Sequence, residues 1–196
     1  MKAPHRSGFS LVELMIALVL LGVVVAKLTI VVEEAQRSHG RETARMAIED
    51  RALQVLDRIS YAIMGSDRET LFPDPSMPTF TPRLEYRVSM GVEDGQVVLG
   101  DEEVISVTQD GSSVYWAENE GQANERLVVW SNDVSQLLEE ELLNGSDDNA
   151  NGLSDESGLN FVIDRNSVTI RLTLQGEDSE GQIIDHTVEA TVTCRN

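Results

Sequence analysis

Apolar and polar positions fall into three successive regimes along the chain. From Leu11 to Val32 nearly every position is apolar, broken only by Glu13, Gly22, Lys27 and Thr29. From Glu33 to about Met64 the apolar residues thin out to a stripe, Ile48, Ala52, Val55, Leu56, Ile59 and Ile63. Those spacings place them on one face of a helix. Neither stretch contains proline, so the two regimes predict one helix, apolar in its first half and amphipathic in its second. Gly65-Ser66-Asp67 is the predicted stop, and the proline-rich run Phe72 to Pro78 cannot continue a helix.

The third regime is β. Leu84 to Met90, Gln96 to Leu99, Val104 to Thr108, Ser113 to Trp116 and Arg126 to Trp130 are short runs with β-branched or aromatic residues between turn formers. Asp94-Gly95 and Asp110-Gly111 are hairpin signals. Leu159 to Asp164, Val168 to Leu174 and Ile183 to Thr193 are the clearest strands, the first two joined by a turn at Asp164-Arg165-Asn166-Ser167. In 168–174 apolar and polar residues alternate strictly, which predicts one covered face and one wet face. Asn132 to Leu143 is expected to be a short segment or helix. The pattern predicts an α+β fold: an antiparallel sheet wrapped on the second half of a long helix.

From Phe9 to Val32 the chain is long enough, at about 36 Å, to cross a hydrocarbon core of about 30 Å. Lys27 can snorkel to an interface. Lys2 and Arg6 precede the span, which puts the N-terminus on the cytoplasmic side. A secretory signal peptide shares the charged start and apolar run. Here, however, Gly22 to Lys27 offers no small-residue cleavage site, and the pattern continues into helix. A plain uncleaved anchor is the simpler reading. It leaves Glu13 unexplained, because a carboxylate in a membrane span is costly and is usually there for a function.

The junction Arg6-Ser7-Gly8-Phe9 with Glu13 resembles the leader and N-terminus of type IV prepilins and of type II secretion pseudopilins. The resemblance is most specific over residues 6 to 27. It implies that residues 1–8 are a leader cut after Gly8 by a prepilin peptidase, and that Phe9 becomes an N-methylated N-terminus. Glu13 would then pair with the N-terminal amine of a neighbouring subunit during assembly, since neither charge is comfortable alone in lipid. It further implies a pilin-like α+β fold, with a transmembrane helix over 9–32, an amphipathic continuation over 33–65, and a β-rich periplasmic head over 66–196. The expected partners are other pilin-like minor and major subunits, the inner-membrane assembly platform and the lipid bilayer. Many members carry a kinking proline where this chain has Ile30. Within the family the large head, the Asp57-Arg58-Ile59 region and the terminal β-pair resemble a J-type or W-type minor subunit. The expected role is a minor pseudopilin at the tip of a short filament, with a minor type IV pilin as the runner-up. A membrane-anchored calcium module that never polymerises is the rival from another class.

Charge sharpens the view of the head. The formal net charge is −19, and from Leu71 onward 25 acidic residues face 6 basic ones. Such a surface argues against nucleic acid as a partner. It favours cations, a basic protein partner, or simple solvation. One cysteine, Cys194, precludes an internal disulfide and is expected to be a small buried hydrophobe or a site of intermolecular pairing.

Asp147, Asn149, Asn151, Gly152 and Asp155 give D-x-N-x-N-G-x-x-D. Alternating oxygen ligands before a glycine are the start of an EF-hand type loop, with the Leu153 carbonyl as a further ligand. This predicts a structural calcium site at 147–158, while the plain alternative is a polar turn. The departure is at the twelfth position, where Gly158 stands instead of a bidentate glutamate; Glu156 is a partial substitute at the wrong spacing. No nucleophile triad or phosphate loop is suggested, and His5, His39 and His186 are scattered. Trp116 and Trp130 are expected to be core or sheet-face residues. Catalysis is not expected.

Overall fold

The structure is a computed structural model that describes residues 10–76, 78–148 and 153–194. Helix α1 spans Leu11–Met64 and is α-helical throughout, so Ile30 causes no break. The chain divides into two compact units, Met1–Glu42 and Thr43–Asn196. In the first, every described side chain that is apolar is exposed, and an 18-residue window reaches a mean hydropathy of 2.8. This helix is long and apolar enough to cross a membrane.

In the second unit the helix buries Ile48, Ala52, Val55, Leu56, Ile59 and Ile63, the stripe that the periodicity picks out. The helix ends as Gly65 and Ser66 tighten the last turn, their N–H groups bonding the carbonyls of Ala62 and Ile63. The fully buried Ser66 hydroxyl also donates to Ile63 O at 2.6 Å, a second bond to a carbonyl that has no partner within the helix.

Among the described residues eight strands follow: β1 (Thr79–Thr81), β2 (Leu84–Glu93), β3 (Gln96–Val107), β4 (Val114–Glu118), β5 (Arg126–Ser131), β6 (Leu159–Asp164), β7 (Ser167–Glu177) and β8 (Ile183–Thr193). They form two four-stranded antiparallel sheets, in the orders β2-β3-β4-β5 and β1-β6-β7-β8, where the pattern predicts a single sheet. The reason is combinatorial. A period of two says which face of a strand is covered, but not which strand lies beside it.

Both sheets feed one core with the helix stripe. Leu84, Tyr86 and Ile105 come from the first sheet; Phe161, Ile163, Ile170, Leu172 and Leu174 come from the second. The predicted hairpin Asp94-Gly95 joins β2 to β3, with φ of 52° and 80° suiting the primed turn that matches strand twist. Asp164 pairs with Ser167 around the two-residue turn between β6 and β7.

Asn132 to Leu143 is not a helix. Val134 pairs with Leu174 and Leu137 with Ser157, so the segment lies extended and takes over beside β7 where β6 begins. Ser135 N donates to Thr173 O and Gln175 N to Asp133 O. The face of β7 expected to be wet is therefore partly covered: Thr173 is fully buried, its hydroxyl 2.7 Å from that of Thr187.

Candidate functional site

Three positions carry the chemistry implied at the N-terminus. Gly8 and Phe9, the implied cleavage and methylation residues, lie outside the described residues. Glu13, the implied assembly residue, sits in the first turn of α1. Its Oε2 accepts the backbone N–H of Ser10 at 2.9 Å, and the Ser10 hydroxyl faces Val12 N at 3.4 Å. Leu14 N donates to Ser10 O. This is a capping box, in which the residue before the helix and the third helical residue satisfy amides that have no partner in the helix. The spacing Ser-x-x-Glu is the signal that reveals it, and reading Glu13 only as a misplaced charge overlooks it. One carboxylate oxygen thus holds the helix start within the chain.

The loop between Leu142 and Glu156 is the second candidate. Of its implied calcium ligands, Asn149 and Asn151 lie outside the described residues. Asp155 turns its carboxylate back onto the loop. Oδ1 accepts from Asn144 N at 2.8 Å and Gly145 N at 3.0 Å, and Oδ2 also lies 3.0 Å from Gly145 N. Asp148 Oδ2 accepts from Leu142 N and from Asn144 Nδ2. Asp155 itself has φ 54°, and its N–H donates to Glu141, a carboxylate only 5% exposed. These bonds close the mouth of the loop. Nothing in the local sequence marks Glu141 for this role, which depends on the extended path of the preceding segment.

Glu156 holds a second set of partners. It is 6% exposed; its Oε1 accepts from Asn160 Nδ2 at 2.9 Å and lies 3.4 Å from Arg171 Nη1. Arg171 bridges onward to Glu189 at 2.8 Å. A buried carboxylate held this way is a structural ion pair, because withdrawing either partner leaves an uncompensated charge. Among the described residues no three His, Cys, Asp or Glu side chains converge as a metal group. The oxygen donors of the loop suit a hard cation by type, and half of the motif falls in 149–152.

Gly158 explains why no glutamate stands at the twelfth position. A Cβ there would lie 1.9 Å from the carbonyl oxygen of Ser135. The close approach is the junction where the 133–135 segment meets the start of β6, and Thr173 N donates to Gly158 O at 2.7 Å. Packing thus excludes a complete EF-hand here.

Cys194 is buried and free, with its thiol pushed up chiefly by that burial. Both tryptophans are partly buried against the core.

Residues 4–26 match the family model described as the prokaryotic N-terminal methylation motif. No curated protein and no solved structure matches the chain. The motif implies assembly with other pilins and processing by a prepilin peptidase. Set on an apolar helix that leads into an α+β pilin-like fold, this motif supports a type IV pilin-like or pseudopilin protein.

Proposed function

We propose that the chain is a minor pseudopilin, a structural subunit that joins the tip of a type II secretion pseudopilus after cleavage between Gly8 and Phe9. The observation that carries this reading is the methylation motif at 4–26 running into a 54-residue helix whose first turn holds the lone acid Glu13. In this reading the N-terminus is cytoplasmic and the head periplasmic, supported by the leader cations Lys2 and Arg6. Glu13 pairs with the N-terminal amine of a neighbour, and the apolar surface of residues 14–26 supplies the contact between packed helices. The subunit does no chemistry; its partners are other minor and major subunits and the inner-membrane assembly platform. A minor pilin of a type IV pilus is the nearest alternative. Deleting the gene and restoring it as wild type or Glu13→Ala tests the reading. Secreted protein should be lost and regained only with wild type. Normal secretion with lost pili would transfer the chain to the pilus.

A second reading is favoured by the Ser10–Glu13 bond. If Glu13 serves only as a helix cap, the chain is a membrane-anchored module that never polymerises. Filaments and secretion would then survive loss of the Glu13 charge.

We also propose that the 147–155 loop holds a structural calcium ion, with Asp147, Asn149, Asn151, the Leu153 carbonyl and Asp155 as the donors. The support is the alternation of oxygen side chains before Gly152. Glu156, at the wrong spacing for a standard loop, is the partial sixth donor.

A further inference from the structure

The sheet β2-β3-β4-β5 carries an aromatic groove beside α1. Asp57, Arg58 and Tyr61 of the helix face Glu103, Trp116 and Trp130 of the sheet across an open cavity of about 560 Å³. Both tryptophans of the chain line it. Glu103 lines it half-buried, with Oε2 accepting from Tyr86 Oη at 2.8 Å and from Trp116 Nε1 at 2.7 Å. Both donors are neutral. Among the described residues no cation pairs with Glu103 or Asp57, and Arg58 makes no ion pair with either. A half-buried carboxylate bonded only by neutral donors, in a groove lined by two tryptophans, is an environment that suits a cation, since a ring face and a carboxylate attract the same charge. The protein already shows the effect once: the Arg126 guanidinium lies 5.8 Å from the Trp116 ring centre.

The neighbouring strand says what carries that cation. β5 is an edge of its sheet, so one row of its backbone groups has no strand partner among the described residues. Leu127, Val128 and Val129 are each at least 44% exposed on it, and Trp130 continues directly from them into the groove. An edge strand with an exposed apolar centre is a template for another polypeptide. A second copy of this chain is disfavoured, because two bodies of formal charge −19 repel. A planar guanidinium fits better than an ammonium, as it stacks on indole and bonds a carboxylate through two N–H groups.

We infer that β5 and the groove between Tyr61, Trp116 and Trp130 dock an extended segment of a different protein, whose arginine side chain enters the groove and pairs with Glu103. This interface stands whether or not the chain polymerises.

Intrinsic fluorescence reads the site directly, because both tryptophans lie in it. The full-length protein in detergent is titrated with a blocked five-residue peptide of β-branched residues around a central arginine, and with its citrulline counterpart. The arginine peptide should give a saturable change, and citrulline should bind at least about tenfold more weakly, the weight of one charge-assisted contact. Asp57→Asn and Tyr61→Ala alter exposed side chains and leave both reporters in place. Each should weaken the arginine peptide about fivefold with an unchanged melting midpoint. Equal binding of the two peptides, no response, or binding indifferent to both variants would overturn the assignment. So would methylguanidinium alone binding as tightly as the peptide, which would make the groove a small-cation site.

Discussion

Ser10 and Glu13 are joined by a 2.9 Å hydrogen bond from the Ser10 backbone N–H to Oε2 of the carboxylate. The same side chain that the assembly reading assigns to a neighbour's amine therefore stabilises the start of its own helix. A carboxylate has capacity for both, because each oxygen accepts more than one bond.

The two roles separate by substitution. Glutamine retains the capping geometry and removes the charge, whereas alanine removes both. Glu13→Gln is expected to abolish filament assembly and secretion as fully as Glu13→Ala, while membrane insertion of each variant stays normal. Quantifying secreted protein and membrane-extracted subunit in parallel checks this. Full activity of Glu13→Gln beside a defective Glu13→Ala would assign the residue to capping alone.

Gly158 is expected to tolerate no side chain. Its φ does not lie in the left-handed region, so the cost comes from contact, chiefly with the Ser135 carbonyl and also with Val134 Cγ1. Gly158→Ala forces the 133–135 segment away from β7 and should cost about 3 kcal/mol. For a unit of this size the melting midpoint falls by roughly 10 °C. Gly145→Ala is the comparison: its φ is 74° and its Cβ would meet open space, so only backbone strain of about 1 kcal/mol is expected. Equal midpoints for the two variants would show that Ser135 moves freely.

The contrast between these residues shows what the chain discloses before folding. The buried stripe from Ile48 to Ile63 is legible because a 3.6-residue period needs only local spacing. The bounds of β6 and β8 are legible too, since turn formers flank them. β3 is not, because polar Asp101, Glu102 and Glu103 interrupt its apolar run, although Glu102 and Glu103 pair with Arg87 and Tyr86 across the ladder. Ser10–Glu13 is readable as a short motif. Gly158 and Glu141 are not, because each answers to a segment distant in sequence. The aromatic groove is the extreme case: Trp130 and Trp116 look like ordinary strand residues until β5 turns out to be an edge.

Calcium binding at 147–155 makes a prediction in two parts. Adding calcium should raise the melting midpoint and chelator should lower it. Asp147→Asn should abolish that difference. Asp155→Asn should lower the midpoint even in chelator, because its carboxylate bonds the Asn144 and Gly145 amides independently of any ion. A midpoint that ignores both calcium and chelator would leave the loop a polar turn, braced by the bonds of Asp148, Asp155 and Glu141.

Asp185 on β8 gives the pH dependence its sign. Its carboxyl is held above the usual carboxylate range by burial first and by the negative charge of Glu139 second. Glu139 is fixed in place by the Thr187 N–H at 3.1 Å. The folded state therefore holds the Asp185 proton more tightly than the unfolded chain does. Between the unfolded and folded values, stability falls as pH rises, and the penalty is complete above the folded value. Asp185→Asn removes the charge and is expected to raise the melting midpoint at pH 7. The gain should shrink as pH is lowered through the raised carboxyl value, where the wild-type group is neutral as well. Added salt should also reduce the gain at pH 7, since part of it is repulsion from Glu139 across solvent. A gain of equal size at pH 4 and pH 7 would place its origin in packing rather than in charge.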